Sequence, residues 1–147
     1  MQRIWVLAVL AVLPIAGGRP AHAEPTEAGL GRPFVLQGGQ QVTITGEDLR
    51  LRFAQVLEDS RCPELVECIW TGQARIVVIA DTGVVGTAGG EPTPVEFNTN
   101  PAPGLSIASA RVNGFTIMLE SLDPYPQTPG DQFALEDYRA TLSVRAD

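Results

Sequence analysis

The chain has 147 residues, with 17 acidic and 10 basic side chains and a net charge of −7. This length suits one domain, and the acidic balance argues against nucleic acid or anionic lipid as a partner. The sequence contains no lysine and one histidine, His22, which excludes most nucleophilic catalytic machinery if that residue is removed.

The N-terminal segment predicts export. Arg3 gives it a positive start, Ile4–Ile15 is apolar, and Ala21–Ala23 (AHA) places small residues at both recognition positions of a signal peptidase. This order is typical of a secretory signal peptide, and 12 apolar residues are too few to span a bilayer, which needs about 20. We expect a signal peptide over residues 1–23 and an exported chain, periplasmic or extracellular, without membrane insertion after cleavage.

Removal of this segment changes the available chemistry. The exported chain would keep 8 basic and all 17 acidic residues, a net charge of −9, and would contain neither histidine nor lysine. Such a chain cannot form a Schiff base or a Ser-His-Asp, Cys-His or Ser-Lys site, and it has no imidazole for zinc, copper or haem. We therefore expect no cofactor, no metal site and no conventional nucleophilic enzyme.

The first elements follow a polar leader over residues 24–32, which we expect to be flexible. Apolar side chains then recur with period two, which predicts half-buried strands. The first three predicted strands are Phe34–Gln37, Val42–Thr45 and Leu49–Phe53. Glycine-containing turns separate them.

The longest predicted strand is Cys68–Ala80. Its second half is apolar on both faces, which indicates an interior position in a sheet. We expect Trp70 to lie in the core, with Gly72 on the same face leaving room for the ring.

Shorter predicted strands follow, each separated from the next by glycine or proline; they are Val95–Phe97, Leu105–Ala108, Phe115–Glu120 and Tyr138–Arg145. No long segment has helical periodicity. Seven to eight such strands predict an all-β domain over residues 33–147, an antiparallel sandwich or small barrel.

The two cysteines, Cys62 and Cys68, predict a local disulfide. An even cysteine count in an exported chain favours this pairing. The alternatives fit less well, because two thiolates without histidine are an incomplete metal ligand set and a redox pair usually has C-x-x-C spacing.

Asp59 and Arg61 directly precede the first cysteine and are candidate binding residues, since a carboxylate–guanidinium pair can recognise a charged group. The alternative is structural, with Asp59 and Ser60 bonded to local backbone N–H groups and Arg61 paired with an acid.

This region resembles a family of small exported bacterial proteins of uncharacterised function. The shared pattern is D-S-R-C-P, four residues, C, one residue, W, one or two small residues and then a strand, matched here by Asp59, Ser60, Arg61, Cys62, Pro63, Cys68, Trp70 and Gly72. A late L-x-P-x-P segment is matched by Leu122, Pro124 and Pro126, whereas Thr71 departs from an expected alanine. The resemblance implies export, the disulfide and a β fold, and implies no activity.

Three further features have two interpretations each. Leu65, inside the disulfide loop, suits a protease inhibitor or packs on the domain. Asp81 opens a D-T-G sequence, as in a homodimeric aspartic protease, or ends a strand in a turn. Tyr125, in a proline-rich loop, binds a partner or covers the edge of the core.

From these observations we expect an exported, non-catalytic β-domain that binds an unknown protein or small ligand or has a structural role in the cell envelope. The alternatives are a protease inhibitor acting through the Cys62–Cys68 loop and a homodimeric aspartic protease using Asp81. The oligomeric state stays open.

Overall fold

The computed structural model of the protein describes residues 26–83, 91–100 and 108–147. The predicted signal peptide over residues 1–23 lies outside these ranges. Among the described residues, no helix is long and apolar enough to cross a membrane.

The fold is all-β, as predicted. The described residues form nine strands: β1 (Thr26–Ala28), β2 (Phe34–Gln37), β3 (Gln41–Ile44), β4 (Arg50–Asp59), β5 (Ala74–Asp81), β6 (Thr93–Asn98), β7 (Ser109–Val112), β8 (Phe115–Asp123) and β9 (Arg139–Ala146). A single 3₁₀ turn, Leu135–Asp137, precedes β9.

The strands form two sheets that are not closed into a barrel. The first has the order β1-β3-β4-β5-β6 and the second β2-β9-β8-β7. All pairs are antiparallel except β1 with β3. Of the two predicted arrangements, the sandwich-like one is therefore observed.

Alternate side chains of both sheets meet in one core. In β5 the even-numbered residues from Ala74 to Ala80 are buried and the residues between them are half-buried, which is the period-two pattern of a strand packed on one face. Phe53 and Phe97 from the first sheet and Ile117 and Leu142 from the second belong to the same buried cluster. The strands β4, β5 and β8, which carry the candidate site, thus contribute side chains to this core.

Several predicted boundaries differ from the structure; the predicted strand Leu49–Phe53, for example, continues as β4 to Asp59. Thr26–Ala28 lies within the predicted flexible leader, yet it forms the edge strand β1, which a three-residue polar segment does not signal. The predicted strand Cys68–Ala80 begins only at Ala74, because the regular pairing with β4 ends where Ala74 lies opposite Asp59. The expected interior position of this strand is confirmed, since β5 lies between β4 and β6.

One further prediction falls partly outside the described ranges. Residues 105–107 of the predicted strand Leu105–Ala108 are not described, and the observed strand β7 begins immediately afterwards at Ser109.

Candidate binding site

The loop between β4 and β5, residues 60–73, is called the tip loop here. The Ser60 N–H donates to the Gln73 carbonyl oxygen at 2.7 Å, and the Cys62 N–H donates to the Thr71 carbonyl oxygen at 2.9 Å. These bonds continue the antiparallel pairing beyond the two strands. The base of the tip loop is therefore a rigid extension of the first sheet.

Gly72 permits this close pairing of the two arms. Its φ is +68°, and a Cβ added there would lie 1.8 Å from the carbonyl oxygen of Ser60. Only glycine fits both the left-handed backbone and the close approach. The expectation that Gly72 makes room for the Trp70 ring was wrong, because it makes room for the Ser60 carbonyl.

The predicted disulfide closes the outer part of the tip loop. Cys62 and Cys68 are bonded, with their Cα atoms 6.0 Å apart. The bridge encloses the five residues Pro63–Glu67. It restricts how far this segment can move away from the base of the loop.

Arg61 anchors the tip loop to the second sheet. Its side chain is 5% exposed, and that of its partner Asp59 is 10% exposed. The Arg61 Nε and Nη2 donate to the two Asp59 carboxylate oxygens at 2.8 and 2.7 Å. Nη1 also donates to the Leu122 carbonyl oxygen at 2.6 Å, and Nη2 to that of Pro124 at 2.7 Å. One guanidinium thus joins the end of β4 to the end of β8.

Tyr138 completes this buried network. Its hydroxyl donates to Oδ2 of Asp59 at 3.0 Å. Burial, and next the negative charge of Asp59, raise the pKa of Tyr138 to about 12. The polar atoms of Asp59 and Arg61 are therefore bonded within the protein, which favours a positioning role for this pair over direct contact with a partner.

A second anchor holds the outer part of the tip loop. The N–H groups of Glu64 and Leu65 donate to the carbonyl oxygens of Pro126 and Gln127 at 3.0 and 3.1 Å. The Gln127 side chain returns a hydrogen bond to the Glu64 carboxylate at 2.7 Å. The disulfide loop is thereby fixed on the proline-rich loop that follows β8.

That proline-rich loop is itself ordered by Asp131. Its carboxylate accepts hydrogen bonds from the Thr128 hydroxyl and from the backbone N–H groups of Thr128 and Gln127, at 2.7, 3.0 and 2.7 Å. These bonds, that of the Thr128 hydroxyl first, lower the pKa of Asp131. The proline-rich loop, on which the disulfide loop is fixed, is thus held by hydrogen bonds of its own.

Four apolar side chains project from the anchored loop and are called the apolar tip here: Leu65, Val66, Ile69 and Trp70. Leu65 is 71% exposed, Trp70 is 64% exposed, and Ile69 is fully exposed. The expectation of a core position for Trp70 was wrong, because the pairing of β5 with β4 begins only at Ala74 and leaves Trp70 on the loop. Leu65 likewise does not pack on the domain.

Tyr125 lies beside the tip loop. It is partly exposed, and its ring centroid is 4.9 Å from the guanidinium carbon of Arg61, a cation–π contact. Tyr125 also lines a cleft of about 460 Å³, together with Thr71, Asn98, Glu120 and Asp123. The structure therefore places Tyr125 where it could contact a partner seated on the tip.

Asp81 lies far along β5, at the end opposite the tip loop. Its carboxylate accepts hydrogen bonds from Arg50 Nη2 at 2.7 Å and from the Gly83 N–H at 2.9 Å. These contacts match the interpretation of Asp81 as a strand-ending residue. Among the described residues, no group of three or more histidine, cysteine, aspartate or glutamate side chains is placed to hold a metal ion.

The two segments that carry the family resemblance contact each other. Arg61 binds the carbonyls of Leu122 and Pro124, and Glu64 binds that of Pro126. The motif thus describes one structural unit made from two distant parts of the chain. No protein-family model matches the chain, and neither a curated protein nor a solved structure matches it.

Sequence reasoning missed Ile69 and Trp70 as site residues, the latter because it was expected in the core, and it missed the carbonyl acceptors of the anchors. Ile69 fits the alternation of a strand, so nothing in the pattern marked it as exposed. The carbonyl groups have no signature of their own, although the joint presence of D-S-R-C-P and L-x-P-x-P pointed to the two segments that supply the first anchor.

Proposed function

We propose that the protein is an exported, non-catalytic binding domain and that the apolar tip is its recognition surface. The observation that carries this proposal is the exposure of Leu65, Ile69 and Trp70 on a loop that is fixed by a disulfide and two anchors. Several large apolar side chains exposed on one ordered loop favour an interaction site.

The rigidity of the tip loop supports recognition. A flexible loop loses conformational entropy when it binds, at a cost of about 0.5–1.5 kcal/mol for each side chain that becomes ordered. The backbone under Leu65 is already held by its bond to Gln127, and the loop is closed at Cys68. Tryptophan is also enriched among the residues that dominate binding energy.

Composition supports a non-catalytic role. The chain has no lysine, and its one histidine lies in the predicted signal peptide. Asp81, the residue proposed for an aspartic protease, is bonded to Arg50 and to the Gly83 N–H. The predicted signal peptide and the disulfide both support export.

The backbone hydrogen bonds of the disulfide loop weigh against a function as a protease inhibitor. An extended segment that docks into a cleft as an added strand does so through free main-chain N–H and C=O groups. The N–H groups of Glu64 and Leu65 are already bonded to Pro126 and Gln127. Recognition through the side chains of the apolar tip does not require these backbone hydrogen bonds to break.

The proposal is tested by affinity capture from the producing cell with the exported form of the protein. Wild type is compared with Ile69→Ser/Trp70→Ser and with the control pair Val35→Ser/Leu57→Ser, which removes exposed apolar side chains outside the tip loop. We expect a binder that is retained by the wild type and the control and lost with the tip variant. Equal capture by all three would contradict the proposal.

A further inference from the structure

Acidic residues are concentrated in the two segments that build the candidate site. Residues 59–73 and 119–131 together contain six acidic residues and one basic residue, Arg61, a net charge of −5. In the expected exported chain, residues 24–147, the other 96 residues hold seven basic and eleven acidic residues, a net charge of −4. More than half of the net charge of −9 thus lies in the 28 residues of these two segments.

The one basic residue does not offset these acids. Arg61 is occupied by Asp59 in the buried anchor. The other five acidic residues of the two segments are all exposed, and none forms an ion pair with a described residue. They are Glu64, Glu67, Glu120, Asp123 and Asp131.

Four of these carboxylates belong to the disulfide loop or line the cleft beside the tip loop. Glu64 and Glu67 belong to the disulfide loop itself, on either side of Leu65 and Val66. Glu120 and Asp123 line the cleft that Thr71, next to Trp70, also lines. The site therefore combines an apolar projection with a negative border.

We infer that the partner is a protein whose apolar pocket receives the tip and whose pocket rim carries lysine or arginine side chains facing these carboxylates. This inference rests on the proposed binding function. Charges at the rim of an interface select the partner and speed association, whereas the apolar centre supplies most of the affinity.

The same charges disfavour other occupants. Two copies joined tip to tip would bring four exposed carboxylates together, since each copy supplies Glu64 and Glu67 from its disulfide loop, and like charges at an interface oppose association. An anionic lipid surface would repel the same border. A basic-rimmed protein pocket is the occupant that satisfies both the apolar and the charged parts of the surface.

The test uses a photo-crosslinking amino acid, benzoylphenylalanine, at position 65 of the full chain expressed in its own cell. We expect an adduct with another protein, and we expect mass spectrometry to place the crosslink beside lysine or arginine. The variant Glu67→Gln/Glu120→Gln should lower the adduct yield about threefold or more, since each exposed ion pair contributes a small but measurable amount. High salt during irradiation of washed envelopes should lower it similarly.

The matched control is Glu27→Gln/Asp48→Asn, which also removes two exposed acidic charges. Glu27 lies in β1, and Asp48 lies in the turn before β4, whereas the tip loop follows the other end of β4. This control should leave the yield unchanged. A protein adduct that is insensitive to Glu67→Gln/Glu120→Gln and to salt would refute the charged rim while leaving the binding function intact. An adduct with a second copy or with lipid would also refute the inferred partner, and no adduct at all would refute the proposed function itself.

Discussion

Arg61 and Leu122 are separated by 61 positions in the sequence, yet Nη1 of Arg61 donates to the Leu122 carbonyl oxygen at 2.6 Å. The same guanidinium is paired with Asp59 in nearly complete burial. This contact joins the two sheets at the end where the apolar tip projects. One buried side chain thus links the base of the tip loop to the second sheet.

Loss of that side chain should destabilise the whole domain. We expect Arg61→Met to lower the free energy of unfolding by about 3 kcal/mol, because it leaves the Asp59 carboxylate and two carbonyl groups without their partner. The control is Arg50→Met, whose pair with Asp81 has the same 2.7 Å distance but exposures of 24% and 29%. There we expect a loss of at most about 1 kcal/mol. Equal losses in urea unfolding would show that the Arg61 network does not connect the sheets.

Gly72 should tolerate no side chain. Gly72→Ala places a Cβ 1.8 Å from the Ser60 carbonyl oxygen at a φ of +68°, and we expect it to cost about 3 kcal/mol through strain and displaced backbone. Gly46→Ala is the matched control, since Gly46 has a φ of +82° but open space around its Cβ position. Its expected cost is about 1 kcal/mol. Thermal unfolding that ranks the two variants equally would contradict the close pairing of the loop arms.

The disulfide should contribute modestly to stability. Cys62→Ser/Cys68→Ser removes a bridge over a sequence separation of six residues, for which chain entropy gives about 2 kcal/mol. We expect the variant to keep its β-sheet circular dichroism, because the anchors and the core do not depend on the bridge. Hydrogen exchange at Glu64 and Leu65 should become faster. Complete unfolding of the variant would be inconsistent with this account.

Tyr138 should titrate at unusually high pH. In Tyr125→Phe, Tyr138 is the only tyrosine left, since the chain has two, and its absorbance titration should have a midpoint near 12. The pKa is higher in the folded protein than the ordinary value of about 10, so folding favours the protonated phenol. Stability from this group is therefore complete below pH 10 and is lost as the pH rises from about 10 to about 12. Unfolding free energies that stay constant across this window would contradict burial of the hydroxyl against Asp59.

The apolar tip should be dispensable for folding. Ile69→Ser/Trp70→Ser changes exposed side chains, so we expect the free energy of unfolding to change by no more than about 0.5 kcal/mol. By comparison, Ile76→Ser places a hydroxyl at a fully buried position of β5 and should cost about 4 kcal/mol. A large loss of stability in the tip variant would mean that these side chains serve the fold and not recognition.

The sequence predicted most of the sheet and the disulfide, because strand alternation and cysteine pairing are local signals. It placed Phe34–Gln37 and the interior strand now seen as β5 correctly. It extended that strand back to Cys68, because Cys68–Gln73 continues the same apolar alternation. The left-handed backbone at Gly72, which interrupts the regular strand, brings the chain against the Ser60 carbonyl, and the local alternation does not signal this contact.

The candidate site was predicted only in part. Asp59, Arg61, Leu65 and Tyr125 were all singled out, and the structure places them around one loop. Their separate roles could not be predicted, because Arg61 is turned inward by carbonyl groups 61 and 63 residues away. Trp70 is exposed because the regular pairing of β5 with β4 begins only at Ala74, a boundary that the local alternation does not signal.

Trp70 offers the most direct measurement of the central claim, that the apolar tip is the recognition surface. Cleavage at the predicted site removes Trp5 and leaves Trp70 as the only tryptophan. Exported protein labelled with fluorotryptophan should then give one ¹⁹F resonance, sensitive to solvent. On addition of the captured partner, this resonance should shift and broaden as the indole becomes buried. An unchanged resonance in protein shown to be bound would contradict the claim.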